Sequence, residues 1–178
     1  NKQRTLLHFG AVDQECQVFL NGEKIGEHLG GYWPFTFDVT AFLQEKNELI
    51  LKVKDLSDNE YYAYGKQKLK HGQIWYTPQS GIWQTVWLEN VAENYVKNIS
   101  YTPLFDKQQI KIQLDISGYF QKGRLEISFK GEKLIKEEFT QKEFQFTLPK
   151  FFPWSPKHPH LYEVKLSLEE DEVHSYFA

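Results

Sequence analysis

Residues 109–117, QIKIQLDIS, set Ile110, Ile112, Leu114 and Ile116 in strict alternation with polar residues. Successive side chains of a strand point to opposite faces, so this period of two marks a half-buried antiparallel strand. The same period returns at Leu125, Ile127 and Phe129, at Phe144, Phe146 and Leu148, and at Tyr162, Val164, Leu166 and Leu168. Leu49, Leu51 and Val53 repeat it in the first half. No stretch of 12 residues carries a helical period. Only residues 40–43 suit a short helical turn, capped by Asp38 or Thr40. The chain is expected to be all-β.

Turn signals fall where strands must reverse. Asn21-Gly22 separates QVFL from EKIG, and Asn-Gly accepts the positive φ that both central positions of a type I′ hairpin need. Lys130-Gly131-Glu132 is a looser signal of the same kind. The character of the chain changes at 90–96, NVAENYV. Before it lies an aromatic strand at 82–88 with Trp83 and Trp87, read as buried on both faces. After it, turn signals recur about every 8–12 residues, the spacing of a sandwich. The chain is therefore divided near Glu93 into 1–93 and 94–178. The second part holds about seven strands, an immunoglobulin-like count, without the cysteine pair of antibody domains.

The 178 residues fit one large domain or two small ones. Hydrophobic residues are 40% and charged residues 25%, as in a globular chain. Aromatics reach 16%, which suits pleated, half-buried surfaces. The net charge of −3 offers no basic excess for phosphates, so nucleic acid is not an expected partner. No apolar run approaches 18 residues, so no membrane helix is expected either. Cys16 stands alone, which excludes an internal disulfide and a cysteine-rich zinc site. Residue 1 is Asn and no Met occurs, so the chain reads as a processed product or a piece of something longer.

Residues 54–79, KDLSDNEYYAYGKQKLKHGQIWYTPQ, form a long irregular segment. Loops beyond about 12–15 residues are usually functional or disordered. Five aromatics argue for order here: Tyr61, Tyr62, Tyr64, Trp75 and Tyr76. Tyr61, Tyr62 and Tyr76 are expected to pin the loop to its sheet. Asp55 and Asp58 suit loop-capping hydrogen bonds better than a cation. His158 and His160 flank Pro159 and suit a surface turn better than a metal site. Ser80 lacks the context of a nucleophile elbow. No metal and no cofactor is expected.

Three segments carry a more specific signal: LHFGAVDQECQVFLN at 7–21, IGEHLGGYWPFTFDVTAFL at 25–43 and IWYTPQSGIWQTVWLE at 74–89. In this order they resemble the sugar-binding jelly-roll domain of family 2 glycoside hydrolases, which include β-galactosidases, β-glucuronidases and β-mannosidases. The segment WSPKHPHLY at 154–162 resembles the close of the family's next domain, an immunoglobulin-like sandwich. Trp154 and Pro156 are read as closing that sandwich.

The resemblance implies two antiparallel β-sandwiches, a partial jelly roll followed by an immunoglobulin-like sandwich. Family jelly rolls begin with strands ahead of the FGAVD-like segment, so exposed sheet edges or an exposed core face are expected in the first domain. Family chemistry belongs to a third domain, a barrel of about 250 residues. The Asn-Glu dipeptides Asn47-Glu48 and Asn59-Glu60 are read as decoys, and no catalytic residue is assigned. The implied function is the non-catalytic N-terminal part of a retaining, exo-acting glycoside hydrolase, inert by itself. Its implied partners are the terminal sugar of a glycoside, through the full enzyme, and the catalytic barrel of the same parent chain. Homo-oligomerisation is left open, and a bacterial cytoplasmic setting is expected.

The candidates for the substrate rim are Tyr64, Lys66, Gln73 and Trp75, since the matching loop of the family reaches the active-site mouth. Tyr and Trp can stack on the apolar face of a sugar. One departure narrows the inference. Galactoside- and glucuronide-specific members carry a sugar-contacting Asp two residues before an aromatic. With Trp75 as that aromatic, the position holds Gln73, so neither specificity is transferred. The alternative reading is a free-standing carbohydrate-binding or structural β-sandwich module.

Overall fold

A computed structural model describes residues 3–59 and 61–178. Glu60, of the second Asn-Glu dipeptide, lies outside the described residues. The chain divides into two compact units, Arg4–Asn90 and Val91–Ala178. All named strand pairs are antiparallel, and among the described residues helix is limited to two short 3₁₀ turns.

The first unit holds β1 (Arg4–Phe9), β2 (Val12–Asp13), β3 (Glu15–Leu20), β4 (Glu23–Leu29), β5 (Phe35–Asp38), β6 (Leu49–Lys54), β7 (Gly81–Ile82) and β8 (Val86–Val91), the last ending at the division. They form sheets in the orders β5-β1-β8 and β4-β3-β6, with a β2-β7 ribbon. Asn21 and Gly22 take φ of 53° and 85° between β3 and β4, as the hairpin turn requires. A 3₁₀ turn at Thr40–Phe42 follows β5, and the Asp38 carboxylate accepts the Thr40 N–H at 3.0 Å. Asn47 fastens the turn before β6, donating from Nδ2 to the Gln44 carbonyl at 2.8 Å. Glu48 there is exposed and serves the turn, its N–H donating to Asn21 Oδ1 at 2.9 Å.

The first unit's buried cluster is Leu7, Phe9, Val12, Cys16, Val18, Leu20 and Val39. On its edge strands β4 and β6, Leu29, Leu49, Ile50 and Val53 are each 38–54% exposed. The strand read as buried on both faces is in fact broken into β7 and β8. Ile82, Trp83, Trp87 and Leu88 are each 44–59% exposed. Residues 83–85 turn to bond with β1's end, where the Gly10 N–H donates to the Thr85 carbonyl at 2.8 Å. The two tryptophans are held by partners other than a core. Trp87 stacks on His8 with ring centres 4.7 Å apart, and Trp83 Nε1 donates to the Gly31 carbonyl at 2.7 Å.

The second unit holds β9 (Tyr95–Leu104), β10 (Gln109–Ser117), β11 (Gly123–Phe129), β12 (Glu132–Phe139), β13 (Glu143–Thr147), β14 (Tyr162–Leu168) and β15 (Asp171–Phe177). One sheet runs β13-β10-β9 and the other β12-β11-β14-β15, so seven strands cross between sheets in the immunoglobulin-type manner. Lys130 and Gly131, with φ of 50° and 80°, make the β11–β12 hairpin. The alternating residues of β10, β11 and β14 meet in one cluster in which Ile110, Ile112, Leu125, Ile127, Leu166 and Leu168 are fully buried. The end of this sandwich differs from expectation. Phe151 and Phe152 pack on the cluster, whereas Trp154 stays 50% exposed. Tyr162 fixes that end: its hydroxyl accepts the Phe152 N–H at 2.6 Å and donates to the Lys150 carbonyl at 2.9 Å. Ser155 and His158 close a surface turn through paired backbone bonds of 2.9 and 3.0 Å.

Candidate functional site

The long loop of the first unit is ordered by polar bonds rather than by buried rings. Asp55 accepts the Ser57 N–H at 2.7 Å and the Ser80 hydroxyl at 2.6 Å, which ties the two ends of the loop together. Asp58 accepts the Leu69 N–H at 3.4 Å. Both aspartates thus act as loop caps. The pinning expected of the tyrosines is not seen: Tyr61 is fully exposed, Tyr76 is 67% exposed and Tyr62 is 38% exposed. A carboxylate bonding to backbone N–H groups holds a loop without needing a ring buried beneath it.

Between this loop and β2, β7 and the Gly30-Gly31 turn lies a cleft of about 360 Å³. That is within the range of small-ligand sites. Its lining includes Asp13, Tyr32, Tyr64, Lys66, Gln67 and Trp83. Asp13 is the unusual member, a carboxylate only 8% exposed at the end of β2. Burial, and then the neighbouring Asp55, push its carboxyl above the ordinary range, while a hydrogen bond from Gln67 opposes them. Gln67 Nε2 donates to Asp13 Oδ2 at 3.4 Å. The amide is oriented from its other end, where Gln67 Oε1 accepts the Gln79 N–H at 2.8 Å. Gly31 is required beside Asp13, since a Cβ there would stand 2.5 Å from Oδ1.

Aromatic edges frame this polar floor. Tyr32 and Trp83 meet edge to face with centres 5.6 Å apart, and the Tyr64 ring is half-buried. A buried acceptor, an amide and several aromatic walls suit a ligand with hydroxyl groups on an apolar frame. Among the described residues, no group of three or more His, Cys, Asp or Glu stands close enough to hold a metal ion. Cys16 faces the core cluster, and burial pushes its thiol up, away from reactivity.

The four sequence candidates separate. Tyr64 and Lys66 line the cleft, and Gln73 and Trp75 do not. Gly72 and Trp75 exchange backbone bonds of 3.2 and 3.0 Å, which places Gln73 at a turn tip with φ 54°. Trp75 is half-buried, with Lys68 Nζ 4.2 Å from its ring centre. Asp13, Gln67, Tyr32 and Trp83 were not among the candidates. Asp13 had a legible signal: an acid directly after the apolar Ala11-Val12, in a strand that a sandwich would bury.

Fold and cleft together define a β-sandwich protein with a polar, aromatic-lined cleft, and the comparisons narrow this further. The family model described as "Glycosyl hydrolases family 2, sugar binding domain" matches residues 1–92, and "Glycosyl hydrolases family 2" matches 94–178. The chain belongs to glycosyl hydrolase family 2. It is 29% identical over 188 residues to a β-galactosidase of Thermoanaerobacter pseudethanolicus, covering 96% of this chain and 24% of that protein. A β-galactosidase of Thermoanaerobacterium thermosulfurigenes is 26% identical over 182 residues, with 92% and 25% covered. The fold matches a β-glucuronidase from Ruminococcus gnavus, solved in complex with C6-substituted uronic isofagomine. The TM-score is 0.78 at 18% identity, over 100% of this chain and 33% of that one. The chain thus spans about a quarter of these curated relatives. No helix among the described residues is long and apolar enough to cross a membrane.

Proposed function

We propose that these 178 residues form the non-catalytic N-terminal part of a glycoside hydrolase that removes terminal sugars with retention of configuration. The unit Arg4–Asn90 supplies one wall of the sugar site, and the unit Val91–Ala178 supports the catalytic barrel of the same parent chain. The joint falls near Glu93, between β8 and β9. Retention calls for two carboxylates about 5–5.5 Å apart, one nucleophile and one acid/base. That pair is assigned to the barrel, and the parent is placed in a bacterial cytoplasm. Tyr64 and Lys66 join Asp13 and Gln67 at the sugar. Gln73 and Trp75 serve the outer rim.

One observation supports this above the rest. In a domain of the sugar-binding family, a buried, oriented carboxylate and four aromatic rings converge on one cleft. An ionised carboxylate there accepts hydrogen bonds from sugar hydroxyls, and the rings meet C–H faces.

Two measurements test it. The purified chain should release no nitrophenol from nitrophenyl galactosides, glucuronides or mannosides; release above background would overturn the non-catalytic assignment. Titration calorimetry should show weak, millimolar-range sugar binding that Asp13→Ala abolishes while the melting curve is retained. Equal binding by the variant would remove the cleft from the site.

A further inference from the structure

Residues 61–80 carry Lys66, Lys68 and Lys70 and no aspartate or glutamate, in a chain of net charge −3. A lysine run on a loop ordinarily points apart into water. Here the backbone gathers Lys66 and Lys68. The Tyr76 N–H donates to the Lys66 carbonyl at 3.0 Å, and the Lys68 N–H donates to the Tyr76 carbonyl at 3.2 Å. Residues 66–68 therefore lie beside 75–76. Lys66 Nζ sits 5.8 Å from the Tyr76 ring centre, and Lys68 Nζ sits 4.2 Å from that of Trp75. These are cation–π distances, which hold the ammonium groups in place without neutralising them.

Eight other lysines make ion pairs with carboxylates, and Lys66, Lys68 and Lys70 make none among the described residues. Lys66 lines the same cleft as Asp13. The cleft thus joins a buried carboxylate to a cationic, aromatic ledge. Asp13 repels an anion at the floor, and the ledge attracts one at the rim.

We propose that the ledge of Lys66, Lys68 and Lys70 binds an anionic group on the saccharide whose neutral terminal ring sits against Asp13. The substrate class is an anionic oligosaccharide, with a sulfate ester or a carboxylate on the unit next to the terminal one. Both groups present oxygen acceptors to the ammonium N–H donors. This rests on the assignment of the cleft as a sugar site.

The test is titration of the 178-residue chain with three ligands sharing a terminal galactose: lactose, lactose sulfated on its glucose unit, and lactobionate. The two anionic ligands are expected to bind about tenfold more tightly than lactose at low salt. About 0.5 M sodium chloride should erase the gain, since exposed charges are screened at that strength. The K68Q/K70Q variant should lose most of the gain and keep its lactose affinity and melting curve. A gain for only one anionic ligand assigns the oxyanion. Lactose binding with no gain for either anion overturns the ledge and leaves the sugar cleft standing. A gain that survives in K68Q/K70Q also overturns it. Binding by none of the three overturns the ledge, and the cleft is then judged by the wider sugar titration with Asp13→Ala.

Discussion

Strands β10 and β6 carry the same alternation of large apolar residues, and the two units treat it differently. Ile110 and Ile112 of β10 are fully buried, while Leu49 and Val53 of β6 remain 39% and 38% exposed. Among the described residues, the second unit closes its two sheets over fifteen buried residues, against seven in the first unit's cluster. The first unit spends Trp87, Trp83 and Tyr32 elsewhere, on a stacked histidine, on a backbone carbonyl and on the walls of a cleft. A period of two specifies a strand, and a facing layer is needed to make it a core.

Core truncation should separate the units most sharply. Leu166→Ala, at a fully buried site, should cost about 2–5 kcal/mol in urea unfolding. Leu88→Ala, at 59% exposure, should cost about 0.5 kcal/mol or less. Equal costs would break the contrast. Tyr162→Phe comes next, because it strands the Phe152 N–H and the Lys150 carbonyl at a buried site. Its expected cost is about 1–3 kcal/mol, read as a lower melting temperature with faster hydrogen exchange confined to the second unit.

In the first unit, Gly31→Ala drives a methyl toward the Asp13 carboxylate. It should cost about 1–2 kcal/mol and weaken sugar binding along with stability. Asp13→Asn has the smallest effect and a defined sign. The folded-state value of Asp13 is raised above its ordinary 3.8, so the folded state takes up a proton more readily than the unfolded one. The stability this gives is fully present below 3.8 and is lost as pH rises through the folded value. The variant should therefore match the parent chain in acid and exceed it slightly at neutral pH. A gain that does not change with pH would place the Asp13 effect outside ionisation.

Much of the fold was legible because its rules are local. Asn21-Gly22 needs only its own φ preferences to make a hairpin, and Lys130-Gly131 behaves likewise. Asp38 accepts the N–H of Thr40, two residues away. The misreadings share a cause. Trp83 and Trp87 look like core residues by type, and their burial depends on what faces their strand. Tyr61 and Tyr76 look like anchors, and the loop is held instead by Asp55 and Ser80, 25 residues apart in the chain.

The candidate site divides along the same line. Tyr64 and Lys66 were readable because they lie in one aromatic, basic segment that resembles a known rim. Asp13 and Gln67 are 54 residues apart, and their bond exists only because β2 pairs with β7 and returns the loop to the first hairpin.

Sequence by itself determined the all-β class, the positions of the tight turns and the family, since periodicity, turn chemistry and ordered motifs are properties of short segments. Tertiary structure alone decided which apolar stripes become core and which carboxylate stands in the cleft. Burial and convergence are set by contacts between distant segments, and no local pattern encodes what another sheet will cover.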